Sequence, residues 1–236
     1  MIRSGLTALD TALKGGLVTP CLVELYGASD SGKTALALWY VRVAQEDPET
    51  VCGWVCAEQN LRPANLEWAE VDSSRLAVVR QTPSLPGLEA AVQLIESGCS
   101  LVVVDSIAAL IGEGIDSPLH LVLGNGLEKV RIAARAHNAG VLLTNQERGL
   151  EMSRKRTQCG SGFALVRDMD YRIGLRPGEG IYRAGIQRGY RVHFEVTKPS
   201  DLFTTGRFNL HVDRGLYDLR GTQVPPGEEN GDTGEV

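Results

Sequence analysis

The sequence predicts an α/β fold, a mostly parallel twisted sheet with helices on both faces that antiparallel strands extend toward the C-terminus. Short, continuously apolar runs such as Leu101-Val102-Val103-Val104 and Val141-Leu142-Leu143 are what central strands covered on both faces require. They alternate with stretches of helical periodicity, the rhythm of βαβ crossovers. A glycine-rich turn, Gly27 to Thr34, separates one such run from a helical stretch.

Taken in order, the stretch from Ile2 to Gly16 reads as a short amphipathic helix closed by the pair Gly15-Gly16. Cys21 to Tyr26 reads as a strand and Ala35 to Val41 as a helix. After the polar break Glu46-Asp47-Pro48-Glu49-Thr50, the apolar stretch to Cys56 is a buried strand ending at Ala57-Glu58. Asn65 to Val71 suggests a helix and Leu76 to Arg80 a strand. Leu88 to Glu96 has apolar residues at helical spacing before Ser97-Gly98 stops it. Leu101 to Ser106 is the next strand, and Ile111 to Ser117, rich in glycine and acidic, is a loop. Residues 121–138 form a long helix with Glu128, Lys129, Arg131 and Arg135 on its polar side, followed by the strand Val141 to Gln146. Beyond Tyr171 the pattern changes to short strands with close turns: Tyr171 to Leu175, Tyr190 to Val196 and Arg207 to Val212. Pro225 to Glu235 has almost nothing apolar to bury. Residues 1–220 are therefore expected to be one folded core and 221–236 a disordered acidic tail.

With 236 residues, 43% hydrophobic and 22% charged, the chain is long enough for one large α/β core. Its net charge of -5 gives no bulk attraction to a polyanion, so any nucleic-acid contact must come from a local basic segment. Cys21, Cys52, Cys56, Cys99 and Cys159 form no C-x-x-C pair, which argues against a zinc site and for reduced thiols. No signal peptide opens the chain, and no apolar run approaches the roughly 18 residues of a membrane span. A cytoplasmic protein without a membrane partner is expected.

Gly27-Ala28-Ser29-Asp30-Ser31-Gly32-Lys33-Thr34 matches the Walker A, or P-loop, pattern G-x-x-x-x-G-K-[ST], with the strand before it and helix after it that the pattern needs. The glycines let the backbone curl so that its N–H groups face an anion, Lys33 reaches the β/γ-phosphates, and the Thr34 hydroxyl ligates Mg²⁺. Asp105, at the carboxyl end of a strand, is positioned to complete the Mg²⁺ site; it would equally cap the next helix. Glu58 ends a different strand and could orient an attacking water, or simply be a solvated residue opening a loop. Gln146 follows a third strand, where an amide could sense the γ-phosphate.

These segments in order, together with Ser4-Gly5-Leu6-Thr7-Ala8-Leu9-Asp10 and Val103-Val104-Asp105-Ser106-Ile107-Ala108-Ala109-Leu110, resemble the ATPase core of the bacterial RecA recombinase family from about the first residue to about residue 215. The resemblance implies a DNA-dependent ATPase. Lys33 and Thr34 would hold phosphate and Mg²⁺, Asp105 would complete the metal site, Glu58 would activate water, and Gln146 would couple the γ-phosphate to a DNA-binding loop. Two loops of the family touch DNA, corresponding here to about Gly112–His120 and Glu147–Gly162. The second carries Arg148, Arg154, Lys155 and Arg156, a cationic segment suited to single-stranded DNA, although such a run also suits a solvated surface loop. The first has no basic residue between Gly112 and Leu119.

The chain also departs from the family's pattern. The core starts almost at Met1, without the segment that docks on a neighbouring subunit, and it ends in the acidic tail where the family has a further domain. The chain could self-associate, but long filaments are not expected. Asn65 stands where the family stacks an aromatic on adenine. Of two lysines that reach a neighbour's ATP, Lys198 is retained and Val196 takes the other place. The reading that results is an ATP-dependent, DNA-binding paralog or accessory factor in recombination or repair, partnered by a full-length recombinase or other repair protein. Its rival is a nucleotide-regulated interaction protein that binds a recombinase, repair polymerase or cell-division partner without DNA-coupled turnover. A hexameric helicase-like or clock-like relative ranks third.

Overall fold

The strands follow in chain order as β1 (Cys21–Gly27), β2 (Cys52–Cys56), β3 (Leu76–Arg80), β4 (Leu101–Asp105), β5 (Gly140–Gln146), β6 (Tyr171–Arg183), β7 (Ile186–Lys198), β8 (Thr204–His211) and β9 (Gly215–Asp218). The helices are α1 (Thr7–Ala12), α2 (Lys33–Ala44), α3 (Pro63–Trp68), α4 (Gly87–Glu96), α5 (Ile107–Leu110) and α6 (Leu119–His137). The structure, a computed structural model, describes residues 1–58, 61–80, 87–110, 119–146, 168–202, 204–211 and 215–218.

Among the described residues nine strands join one sheet in the order β3-β2-β4-β5-β1-β6-β7-β8-β9. Pairing is parallel from β3 through to β6 and antiparallel from β6 to β9. The side-chain period of two sends alternate residues of the central strands to opposite faces. Val23, Leu25, Val103 and Leu142 pack with Leu36, Tyr40 and Val41 of α2 and Leu9 of α1. Leu22, Val102, Val104, Val141 and Leu143 pack with Ala91 and Ile95 of α4 and Leu127 and Val130 of α6. Helices therefore cover both faces. That is why β1, β2 and β4 are buried along their whole length and are mostly apolar, with Glu24 a charged exception inside β1.

Several boundaries differ from the sequence expectation: α1 is confined to Thr7–Ala12, and β8 starts earlier, at Thr204. The strands β6 and β7 run for 13 residues each, well past the segments expected, because the outer part of this hairpin is exposed and lacks apolar alternation. Helix α3 begins at Pro63 rather than Asn65; a proline suits the first turn, where its missing N–H leaves no bond unmade. Strand β9 was not expected at all. The loop at Ile111–Ser117, the basic segment from Glu147 to Gly162 and the tail at 221–236 lie outside the described residues. Among the described residues no helix is long and apolar enough to cross a membrane.

Candidate functional site

The parallel strands deliver their carboxyl ends to one rim of the sheet. Register places Gly27 opposite Gln146, Cys56 opposite Asp105 and Val104 opposite Leu143, so Gly27, Glu58, Asp105 and Gln146 all fall at that rim. In an open α/β sheet this crevice is where helix N-termini present free backbone N–H groups to a ligand.

The turn from Gly27 to Thr34 occupies the rim between β1 and α2. Gly27 has φ 155°, and a Cβ there would stand 2.2 Å from the Leu175 carbonyl oxygen and 2.7 Å from Ser31 Oγ, so only glycine fits. Gly32, at φ 94° in the left-handed region, is the N-cap of α2. Ala28, Ser29 and Asp30 are exposed, while Ser31 is buried beneath them. The Lys33 ammonium folds back over the turn and donates to the carbonyls of Ala28 at 2.6 Å and Gly27 at 3.1 Å and to Ser31 Oγ at 3.3 Å. A curled backbone that ends in a helix N-terminus and carries an ammonium over it has the chemistry of an anion cradle.

Beside it, Thr34 Oγ1 donates to Asp105 Oδ2 at 3.1 Å, and Thr144 Oγ1 donates to Asp105 Oδ1 at 2.5 Å. Burial raises the Asp105 carboxyl above the ordinary carboxylate range. The Thr144 hydrogen bond opposes that rise, the negative charge of Glu58 adds to it, and Thr34 and Lys33 oppose it. Glu58 is exposed and accepts a hydrogen bond from the Ser106 hydroxyl. The backbone N–H groups of Ala57 and Glu58 both donate to the Asp105 carbonyl, at 2.8 and 3.3 Å, which ties the end of β2 to the end of β4.

Among the described residues no three His, Cys, Asp or Glu side chains gather into a metal cluster. The Thr34 hydroxyl and Asp105 carboxylate are hard oxygen donors beside an anion cradle. Such a set fits a cation that keeps much of its shell from water and phosphate, as Mg²⁺ does.

Thus Gly27 to Thr34, Glu58, Asp105 and Gln146 fall at one rim, while Lys198, expected to reach a neighbour's nucleotide rather than this one, lies elsewhere. Lys198 is paired with Arg172 across β6 and β7 and lines a cleft of about 600 Å³ with Val18 and Pro20. That cleft lies where the chain enters β1, whereas the glycine turn lies where it leaves. Asn65 uses its Oδ1 to accept from the Arg62 N–H at 2.8 Å, capping α3. Arg148, Arg154, Lys155 and Arg156 lie outside the described residues.

Two features went unread in the sequence. Glu24, fully buried in β1, accepts from Asn145 Nδ2 at 2.7 Å and from Arg172 Nε, and the Arg172 guanidinium lies 4.6 Å from the Tyr26 ring centroid. A glutamate inside an apolar run is a readable signal, since a buried charge demands a partner. The other is Tyr190 of β7, whose hydroxyl reaches the Asp30 carbonyl; no local pattern marks it.

A mainly parallel sheet with a glycine-bracketed turn after β1 and acidic residues after β2 and at the end of β4 defines a P-loop α/β protein. The family described as the RecA N-terminal domain matches residues 1–149. The chain is 31% identical over 234 residues to protein RecA of Aquifex aeolicus (strain VF5), an alignment covering 92% of this chain and 67% of that one. It is 33% identical over 231 residues to protein RecA of Cutibacterium acnes, covering 91% and 66%. For protein RecA of Thermosynechococcus vestitus the identity is 30% over 233 residues, covering 92% and 65%. The chain belongs to the RecA family, and it spans about two thirds of the length of these curated relatives.

Proposed function

We propose that this RecA-family chain binds ATP with Mg²⁺, hydrolyses it in response to single-stranded DNA, and serves in the cytoplasm in homologous recombination or repair as a recombinase paralog or accessory factor. The observation that carries the reading is the 3.1 Å contact of Thr34 with Asp105 beside the cradle of Gly27 to Lys33, with Glu58 held at the same rim. The backbone of Ala28 to Gly32 and the Lys33 ammonium take the phosphates, and Lys33 exchanges two carbonyl partners for phosphate oxygens. Thr34 and Asp105 would hold Mg²⁺, which would supply positive charge beside the phosphates. Glu58, oriented by the Ser106 hydroxyl, positions water and accepts its proton. Gln146, exposed at the end of β5 and continuous with the basic segment after it, reads the γ-phosphate and passes its state to Arg148, Arg154, Lys155 and Arg156. Lys198, in a cleft of its own, serves the nucleotide of a neighbouring copy or of a full-length recombinase partner.

The test is the ATPase rate of the purified chain with and without single-stranded DNA, beside two variants. Lys33→Ala should lose nucleotide binding, whereas Glu58→Gln should bind ATP and not hydrolyse it. Turnover equal to the parent in both variants would misplace the site. Hydrolysis that ignores DNA would favour a nucleotide-gated adaptor.

A further inference from the structure

The outer turn of the phosphate cradle passes through one left-handed residue that is not a glycine. Asp30 sits at φ 58°, in the left-handed region that a residue with a Cβ enters at a cost. It is exposed, so packing does not hold it there. A side chain from the antiparallel half of the sheet reaches it instead: Tyr190 Oη donates to the Asp30 carbonyl oxygen at 2.8 Å. Tyr190 is well anchored for this. Its body packs against the core, and its backbone is paired with Leu210 on β8 and Gly180 on β6. The same surface supports the other end of the cradle. A Cβ built on Gly32 would stand 3.4 Å from Leu210 Cδ1, 3.5 Å from Val192 Cγ2 and 3.8 Å from Tyr190 Oη. Burial also holds the phenol's pKa above its ordinary value, so the hydroxyl keeps its proton through neutral and mildly alkaline pH.

We propose that Tyr190 is a positioning residue for the phosphate cradle, clasping the left-handed turn at Asp30 so that the inward N–H groups stay converged. The inference rests on the nucleotide reading above and goes beyond it by naming a residue outside the motif. Because the clasp acts on backbone that meets the substrate before and during reaction alike, it contributes uniform binding. Its loss raises KM and Kd while leaving kcat in place.

The experiment measures binding of a fluorescent ATP analogue with Mg²⁺, and steady-state ATP hydrolysis, on the full chain. Tyr190→Phe keeps the ring and removes only the donor. Its Kd and KM should rise about three- to tenfold, the scale of one hydrogen bond, with kcat within about twofold. Adding Asp30→Gly should recover part of the lost affinity, because glycine takes a positive φ without a clasp, whereas a defect of packing would not be recovered. Lys33→Ala provides the reference. If the parent binds, Lys33→Ala does not, and Tyr190→Phe matches the parent, the clasp is overturned while the nucleotide site stands. A fall in kcat at unchanged KM, or no recovery with Asp30→Gly, also overturns the clasp. A parent without affinity for the analogue overturns both readings.

Discussion

The Thr34 hydroxyl donates to the Asp105 carboxylate at 3.1 Å, joining the first turn of α2 to the end of β4. Asp105 is 2% exposed, and burial is the first cause of its raised pKa, so the fold tolerates its charge more than it depends on it. Asparagine has the same shape, and the two threonine hydroxyls can rotate to donate to the amide oxygen or accept from its nitrogen. Asp105→Asn should therefore keep or slightly raise Tm. It should lower Mg²⁺-dependent ATP hydrolysis by about 100-fold, the scale of losing one group that stabilises transition-state charge. A thermal melt beside an ATPase assay separates the two effects. A large drop in Tm would mean that the ionised form supports the fold.

Glu24 and Arg172 make the opposite case, in which charge supports structure. Glu24 is fully buried, and its partners are Arg172 and Asn145, from the strands on either side of β1. Arg172→Ala should cost about 3–5 kcal/mol, mostly from stranding a buried charge. Glu24→Gln in that background should recover part of the loss, because an amide needs no counter-charge. Urea unfolding of the four proteins of the cycle gives the coupling, and additive costs would show that the pair is not a unit.

What the sequence discloses about this site follows from strand counting. Gly27, Glu58, Asp105 and Gln146 are legible because each stands at or just after the end of an apolar run, and parallel pairing brings such ends to one rim. The bonds that hold them are not legible. Ser106 reaches Glu58 across 48 residues and Tyr190 reaches Asp30 across 160, separations that no local pattern records. The β6–β7 hairpin is missed for a related reason: its outer residues are exposed, so the apolar alternation that marks a strand is absent.

Arg154, Lys155 and Arg156 supply the cations on which DNA binding is proposed to rest. Replacing all three by Ala should weaken binding to a labelled single-stranded oligonucleotide. It should also flatten the plot of log K against log salt by about 2, since each phosphate contact on a single strand contributes about 0.7. A salt titration reads both effects. A parallel shift with unchanged slope would place the phosphate contacts on another surface.

Arg75 staples the far end of α2. Arg75 Nη2 donates to the Gln45 carbonyl at 2.9 Å, its Nη1 to those of Asp47 at 2.9 Å and Pro48 at 3.2 Å, and its Nε to Asp72 Oδ2 at 2.9 Å. This one guanidinium gathers carbonyls of the cap and the turn just beyond the helix. Hydrogen bonds from Ser74, and then Arg75, hold the Asp72 carboxyl down at about 2. A carboxylate depressed in the folded state contributes stability that is complete above its unfolded pKa of about 3.9 and fades as pH falls toward the folded value. Asp72→Asn should therefore be less stable than the parent at pH 7. The gap in urea midpoint should narrow between about pH 4 and pH 2, where the parent's carboxylate is protonated as well. Urea midpoints of both proteins across that range test it. A gap that stays constant down to pH 2 would assign the difference to something other than the titration of Asp72.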